Sequence, residues 1–309
     1  MLNSQQLQQL SALAANAAQQ AGDYIAAFDR RAIEVNCKLA GDSIASQVVT
    51  QVDLACETII HNVLQPSFEL FDIAFLGEES SSSCPIEQHP RLSRPYFWCV
   101  DPLDGTLPFT ENVPGYAVSI GLVRQDGVPL LGVIYDPVTA TLVQAIAGQT
   151  DVDVKPSLLK QGKPWSPTSR SIIGAKTPVL SVFFDRSFTA LPTFPDVINA
   201  TEQCAIRLGY DGIEVHHQAG SVMNALSVLQ HGPGCYFKFP KATRGGGSLW
   251  DFAATAAVAK AAGIWVTDMM GEPLQLNAAD SLFMNRRGVL YASDERLAHE
   301  LMALYKAFC

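Results

Sequence analysis

The chain has 309 residues, 48% hydrophobic and 17% charged, the balance of an ordinary soluble globular protein with room for two domains. Its 21 basic and 30 acidic residues leave a net charge of −9, which argues against a general nucleic-acid binder, since that role needs a basic surface. No apolar stretch is long enough to cross a membrane, and the first residues lack the basic and apolar regions of a secretory signal.

Leu7, Leu10, Leu13, Ala17, Ala21, Tyr24 and Phe28 fall at helical spacing and predict an amphipathic helix over residues 4–29. A second helix is expected over about 52–65, with Leu54, Ile59 and Val63 on one side and Pro66 as its stop. Residues 72–76 read as a strand leading into Gly77-Glu78-Glu79. The Ser- and Pro-rich stretch 80–95 reads as a mobile surface loop without chemistry. An apolar, β-prone run from Tyr96 then ends at Asp101. Strands 116–123 and 130–135 flank Gln125-Asp126-Gly127, a hairpin signal, and 141–147 gives a third strand.

Low periodicity over 148–170 marks a domain division, giving units of residues 1–150 and 151–309. Beyond it the expected elements are a strand at 179–184, a helix at 221–229 entered from Gly220, and a strand at 236–239. A helix at 249–262, strands at 264–267 and 288–292, and a helix over 294–307 capped by Ser293 complete the chain. The alternation predicts an α/β fold with helices layered on sheets. Seven dispersed cysteines (Cys37, Cys56, Cys84, Cys99, Cys204, Cys235 and Cys309) contain no Cys-x-x-Cys pair, which points to reduced thiols in a cytoplasm rather than disulfides or zinc.

The chemistry concentrates in Asp101-Pro102-Leu103-Asp104-Gly105-Thr106, where a buried strand delivers two carboxylates into a tight turn. Two acids held so close repel unless a proton or cation lies between them, and Mg²⁺ takes oxygen ligands while leaving positions for phosphate and water. Glu78, also after a strand, and Asp251, in the first turn of the alanine-rich helix, are the other candidate ligands. Each has a plainer alternative: Asp101 and Asp104 as turn formers, Glu78 as a solvated acid, Asp251 as a helix cap. Gly105 and Thr106 open a short helix whose free N–H groups suit a phosphate. Thr106 is equally readable as a cap or as a residue that positions water.

Gly77-Glu78-Glu79-Ser80, the Asp101–Thr106 motif and Trp250-Asp251 resemble, in order and context, the signature of the inositol monophosphatase superfamily. Val49-Thr50-Gln51-Val52-Asp53, the upstream Lys38 and Gly41-Asp42, Gly220-Ser221 and the run from Trp250 to Gly263 extend the resemblance over most of the chain. It implies a layered αβαβα sandwich, with the metal site between an N-terminal α+β half and a C-terminal α/β half. It further implies that Glu78, Asp101, Asp104, Asp251 and the backbone oxygen of Leu103 hold two or three Mg²⁺ ions. Asp53 and Thr106 would orient water with Glu78, and the N–H groups of Gly105 and Thr106 would hold phosphate.

Substrate choice is less legible. Arg244 stands about where inositol phosphatases of the superfamily usually carry an acid, which favours a second phosphate or a carboxylate; a solvated, glycine-loosened loop is the alternative. Gly220 and Ser221 are the other expected substrate contacts. His216-His217 has no spaced partner ligand and reads as structural or surface. The expectation is a Mg²⁺-dependent phosphomonoesterase acting on a small phosphorylated polyol. Its rival is a 3′(2′),5′-bisphosphate nucleotidase acting on adenosine bisphosphate, and an alternative of another class is a non-catalytic phosphate-ligand sensor. Family likeness adds sensitivity to Li⁺ and a possible homodimer.

Overall fold

A helix that is apolar on nearly every side needs cover on every side, and Leu249–Ala262 is such a helix, lying between two sheets. The computed structural model describes residues 1–28, 36–37, 48–49, 51–149, 154–167 and 178–308. Lys38, Gly41, Asp42, Thr50 and Cys309 fall outside the described residues.

In chain order the first half comprises α1 (Ser4–Ala27), the two-residue strands β1 (Asn36–Cys37) and β2 (Val48–Val49), α2 (Gln51–Leu64), α3 (Pro66–Leu70), β3 (Ile73–Gly77), β4 (Tyr96–Asp104) and α4 (Thr106–Thr110). Strands β5 (Ala117–Arg124), β6 (Pro129–Asp136), β7 (Thr141–Ile146), β8 (Ser157–Lys160) and β9 (Lys163–Pro164) follow. Strands β3 to β9 form one seven-stranded sheet in sequence order, parallel only between β3 and β4. The sheet runs on to Pro164, so its last two strands lie beyond residue 150.

The second half contains β10 (Leu180–Phe183), α5 (Arg186–Thr189), α6 (Phe194–Leu208), β11 (Ile213–His216), α7 (Ser221–Gln230), β12 (Gly234–Lys238), α8 (Leu249–Ala262), β13 (Trp265–Thr267), β14 (Val289–Ala292) and α9 (Glu295–Ala307). Its five strands run in the order β11-β10-β12-β14-β13, the first three parallel.

The layers follow from where each strand points its side chains. Along β4, Tyr96, Trp98 and Val100 enter the core under α1 and α2, while Phe97 and Cys99 enter the core beneath α8. That alternation buries both faces of the sheet. A third core, including Val182, Phe184, Phe237, Leu290 and Leu301, joins the other face of the second sheet to α6 and α9. The result is an αβαβα sandwich, as the sequence pattern and the resemblance led us to expect.

Seating α8 on the first sheet depends on two glycines facing each other across β5 and β6, Gly121 and Gly132. A Cβ on Gly121 would lie 2.8 Å from the Ala253 Cβ, and one on Gly132 would run into the Ala254 carbonyl. The glycines and the alanines together let backbone approach backbone.

The elements named from the sequence fall close to their observed bounds, with two corrections. Residues 80–95 are not a loose loop: they contain 3₁₀ turns at Ile86–Gln88 and Pro90–Leu92. Arg91, in the second of them, is fully buried, donating to the Asn277 side chain and to the Ala278 carbonyl at 2.9 Å. A buried guanidinium needs acceptors, and these tie the segment down. The last helix is capped by Asp294, which accepts from the Leu297 N–H at 3.0 Å, not by Ser293. Cys56, Cys84, Cys99, Cys204 and Cys235 are free thiols. No helix among the described residues is long and apolar enough to cross a membrane.

The seating of α8 generates a prediction. Gly132→Ala should destabilise the fold by about 1–3 kcal/mol, the usual cost of overpacking. It should also reduce turnover in protein that is still folded, because α8 carries Asp251. Thermal denaturation and turnover measured well below the melting temperature check both effects.

Candidate active site

Strands β3 and β4 run parallel with Gly77 opposite Val100, so Glu78 and Asp101 emerge from the same sheet end. The Glu78 N–H donates to the Val100 carbonyl at 3.1 Å, extending the pairing to the acid itself. Asp101 and Asp104 are three residues apart, a spacing that puts side chains on opposite faces of a regular strand. Here the ladder slips: Asp101 pairs with Ser119 and Asp104 with Ala117, so three steps on β4 match two on β5. This bulge returns Asp104 to the face that holds Asp101 and leaves the Leu103 side chain in the opposite core. The Leu103 N–H closes the turn by donating to Asp101 Oδ1 at 3.0 Å.

Asp251 arrives from the other side. It is the third residue of α8 and forms a capping box with Ser248, whose N–H donates to Asp251 Oδ2 at 3.1 Å. The Ser119 hydroxyl, opposite Asp101, donates to the Trp250 carbonyl at 3.2 Å and fixes the helix start over the sheet end. One carboxylate oxygen from each of Asp101, Asp104 and Asp251 lies within 4.8 Å of the others, all three residues buried.

Such a set resists ionisation. Burial pushes the Asp101 carboxyl well up, and the charges of Glu78, Asp104, Asp251 and Asp53 push it further. Asp104 is raised by burial and by Asp251, against the opposing pull of the Val222 N–H and of Lys238. Asp251 rises from its usual 3.8 to about 6, mainly through burial, with Lys238 and the Ser248 N–H holding it back. An all-oxygen donor set whose members repel one another fits a hard divalent cation between them.

The remaining residues singled out from the sequence divide into two groups. Asp53, buried in the first turn of α2, adds its field to Asp101. Gly105 caps α4 at φ +85°, Thr106 begins that helix, and the Thr106 hydroxyl donates to the Leu103 carbonyl at 3.4 Å. Gly220 and Ser221 also reach the cluster, and Ser221 holds a protein carboxylate there. Asp104 accepts from the N–H groups of Ser221 at 3.1 Å and Val222 at 2.9 Å, so the first amides of α7 close on Asp104. A Cβ on Gly220 would collide with Asp104 Oδ2.

Arg244 is placed differently. It is exposed, on a cavity of about 730 Å³ lined also by Lys241, Phe283, Asn285 and Arg286. The cation that acts on Asp104 and Asp251 is Lys238. His216 stacks on Phe183 with ring centroids 4.9 Å apart, and neither it nor His217 joins a possible metal cluster among the described residues.

Sequence reasoning missed three residues. Glu57 is buried on α2, one helical turn after Asp53, and accepts the N–H groups of Glu79 at 2.8 Å and Ser80 at 3.0 Å. It thereby fixes the turn that carries Glu78, and its i, i+4 relation to Asp53 was the available signal. Lys238, at the end of β12, and the half-buried Asp185, just past β10, form an ion pair, and the Tyr236 hydroxyl donates to Asp185 at 2.7 Å. A lysine inside the apolar run Cys235-Tyr236-Phe237-Lys238-Phe239 was the signal there.

With this geometry in view, the chain matches the model of the inositol monophosphatase family over residues 6–306. The 3′(2′),5′-bisphosphate nucleotidase CysQ of Salmonella typhimurium is 30% identical over 242 residues, 77% of this chain and 82% of that protein. Inositol monophosphatase 3 of Solanum lycopersicum is 29% identical over 231 residues, covering 75% and 77%. Among solved structures, the suhB protein of Bartonella henselae superposes with a TM-score of 0.66 at 21% identity, over 96% of this chain and 97% of that one. An inositol monophosphatase from Anabaena gives 0.64 at 22% identity, over 96% of each chain. The chain belongs to the inositol monophosphatase family, and it is a metal-dependent phosphoric monoester hydrolase.

Proposed function

We propose that the chain hydrolyses a small phosphorylated polyol with Mg²⁺ and water. The observation that carries this reading is the convergence of three buried carboxylates, Asp101, Asp104 and Asp251, within 4.8 Å at a junction of two sheets. Glu78, those three acids and the Leu103 carbonyl would hold the ions. When bound, two or three Mg²⁺ ions would supply an activated water, neutralise the phosphoryl oxygens and stabilise the leaving alkoxide. That contribution matters because phosphate monoesters hydrolyse extremely slowly in water alone.

The chain's own groups do the positioning. Asp53 and Thr106 orient the attacking water together with Glu78. The first N–H groups of α4 have no acceptor within their helix and are free to take the phosphoryl oxygens at Gly105 and Thr106. Glu57 keeps the Glu78 turn in place through two backbone N–H groups. No side chain becomes phosphorylated, and family likeness adds inhibition by Li⁺.

A second reading, hydrolysis of a 3′(2′),5′-bisphosphate nucleotide, is favoured by one observation. The cation beside the acids is the buried Lys238, which suits a substrate with a second anionic group better than neutral hydroxyls. Side-by-side rates on inositol monophosphate and adenosine 3′,5′-bisphosphate with Mg²⁺ decide between the readings. Binding of either without turnover would instead favour the sensor.

Asp101→Asn should lower Mg²⁺-dependent phosphate release by more than the roughly 10–100-fold that loss of an outer-shell partner costs. Activity within a few-fold of the unaltered chain would contradict the metal reading. A pH dependence follows from the same acids. The folded carboxyl of Asp251 titrates near 6 against 3.8 when unfolded, so the metal-free fold holds its proton more tightly. Metal-free stability should therefore be highest below pH 4 as far as this group is concerned, and should be lost as pH rises through 6. Melting curves from pH 4 to 8 should show that loss without metal and its suppression by Mg²⁺.

A further inference from the structure

One charged group inside the site has no part in the polyol-hydrolysis scheme above. Lys238, at the end of β12, is 8% exposed, and its ammonium is ion-paired with Asp185 and donates to the Ser221 hydroxyl at 3.0 Å. Its nitrogen lies 5.2 Å from the centre of the Phe252 ring, the residue after Asp251. Ser221 is also the residue whose N–H holds Asp104 at 3.1 Å, and its side chain helps to hold the Asp251 carboxyl down. One residue thus stands between a buried cation and two of the clustered acids. Asp185 is itself held by the Tyr236 hydroxyl at 2.7 Å and the Asn224 amide at 3.3 Å, so the cation cannot swing away without breaking a network.

We propose that Lys238, half-neutralised by Asp185, is a fixed counter-cation of the acidic cluster that sets how tightly the chain holds its divalent metal. A buried ammonium beside Asp104 and Asp251 offsets part of their negative charge when no metal is present, and it repels a divalent ion that enters. Consistent with this placement, Lys238 pulls down the carboxyls of both Asp104 and Asp251. Asp185 works in the other direction: it draws the field of the ammonium away from the cluster and raises the same two acids. The two members of the pair therefore act on the cluster in opposite directions, and Lys238 is a tuning group that need not touch the reacting phosphate. This inference rests on the metal reading given above.

The test is a calorimetric titration of metal-free protein with MgCl₂, which reads affinity without turnover. Lys238→Gln should bind Mg²⁺ at least about fivefold more tightly than the unaltered chain, because a like charge has gone. Asp185→Asn, which leaves the ammonium unopposed, should bind more weakly by a similar factor, and Lys238→Arg should stay within about twofold. Opposite signs for the two neutralising variants are the signature of charge, since a merely structural role would weaken both. Equal affinity in all variants, or weakening in both neutralising ones, overturns the proposal while leaving the metal reading intact. Should Lys238→Gln fail to fold, unweakened binding by Asp185→Asn overturns it alone. No saturable binding by the unaltered chain overturns both.

Discussion

The structure is organised around an electrostatic conflict: several carboxylates of one sign are buried together where two sheets and two helix starts meet. Water would screen such a set, but Asp101 and Asp104 are almost wholly excluded from it. Burial and mutual repulsion then act in the same direction on Asp101, Asp104 and Asp251, pushing each toward its protonated form. A fold that assembles this arrangement is costly unless the charge is answered. Backbone N–H groups of α7 and the ammonium of Lys238 answer part of it. In the proposed function a divalent cation would answer the rest and turn an unfavourable cluster into a catalytic one.

Much of the architecture serves to bring the acids together. The parallel β3–β4 pair sends Glu78 and Asp101 out of one end, and the bulge between Asp101 and Asp104 corrects the face of the second acid. Gly121 and Gly132 let α8 approach close enough for its first turn to overhang that end, and Ser119 ties it there. The site therefore belongs to neither half of the chain alone. Asp104 leaves the first sheet and is received by the N-terminus of α7, a helix of the second half, so the carboxylate that joins the acidic cluster also ties the two layers together. Proteins only about a fifth identical in sequence share this overall fold, as expected if the geometry constrains backbone paths more than side chains.

Most of this was legible in the residues, for identifiable reasons. Long periodic elements such as 4–27 and 249–262 announce themselves, because an apolar stripe or an all-apolar helix has few other uses. The strand-end acids were visible because a buried run that stops at Asp-Pro needs an explanation. What escaped was three-dimensional. The helix Phe194–Leu208 went unread although Pro195 opens it and Gly209, at φ +93°, closes it. Arg244 was read as a substrate contact from its place a few residues before Trp250, while the cation whose field reaches Asp104 and Asp251 went unread. Strand pairing brings Lys238 to the acids, and no spacing rule reports on strand pairing. Arg91 misled in a similar way: Ser and Pro around it suggested mobility, whereas its acceptors lie 186 and 187 residues away.

In the proposed function, acids distant in sequence share a metal in the folded chain. Crystals grown with Mn²⁺ in place of Mg²⁺ and an anomalous-difference map check this at the site itself. At least one strong peak is expected in contact with carboxylate oxygens of Asp101 and Asp104 or Asp251 together. A map with no peak among those three side chains, from crystals whose fold is otherwise unchanged, would contradict it.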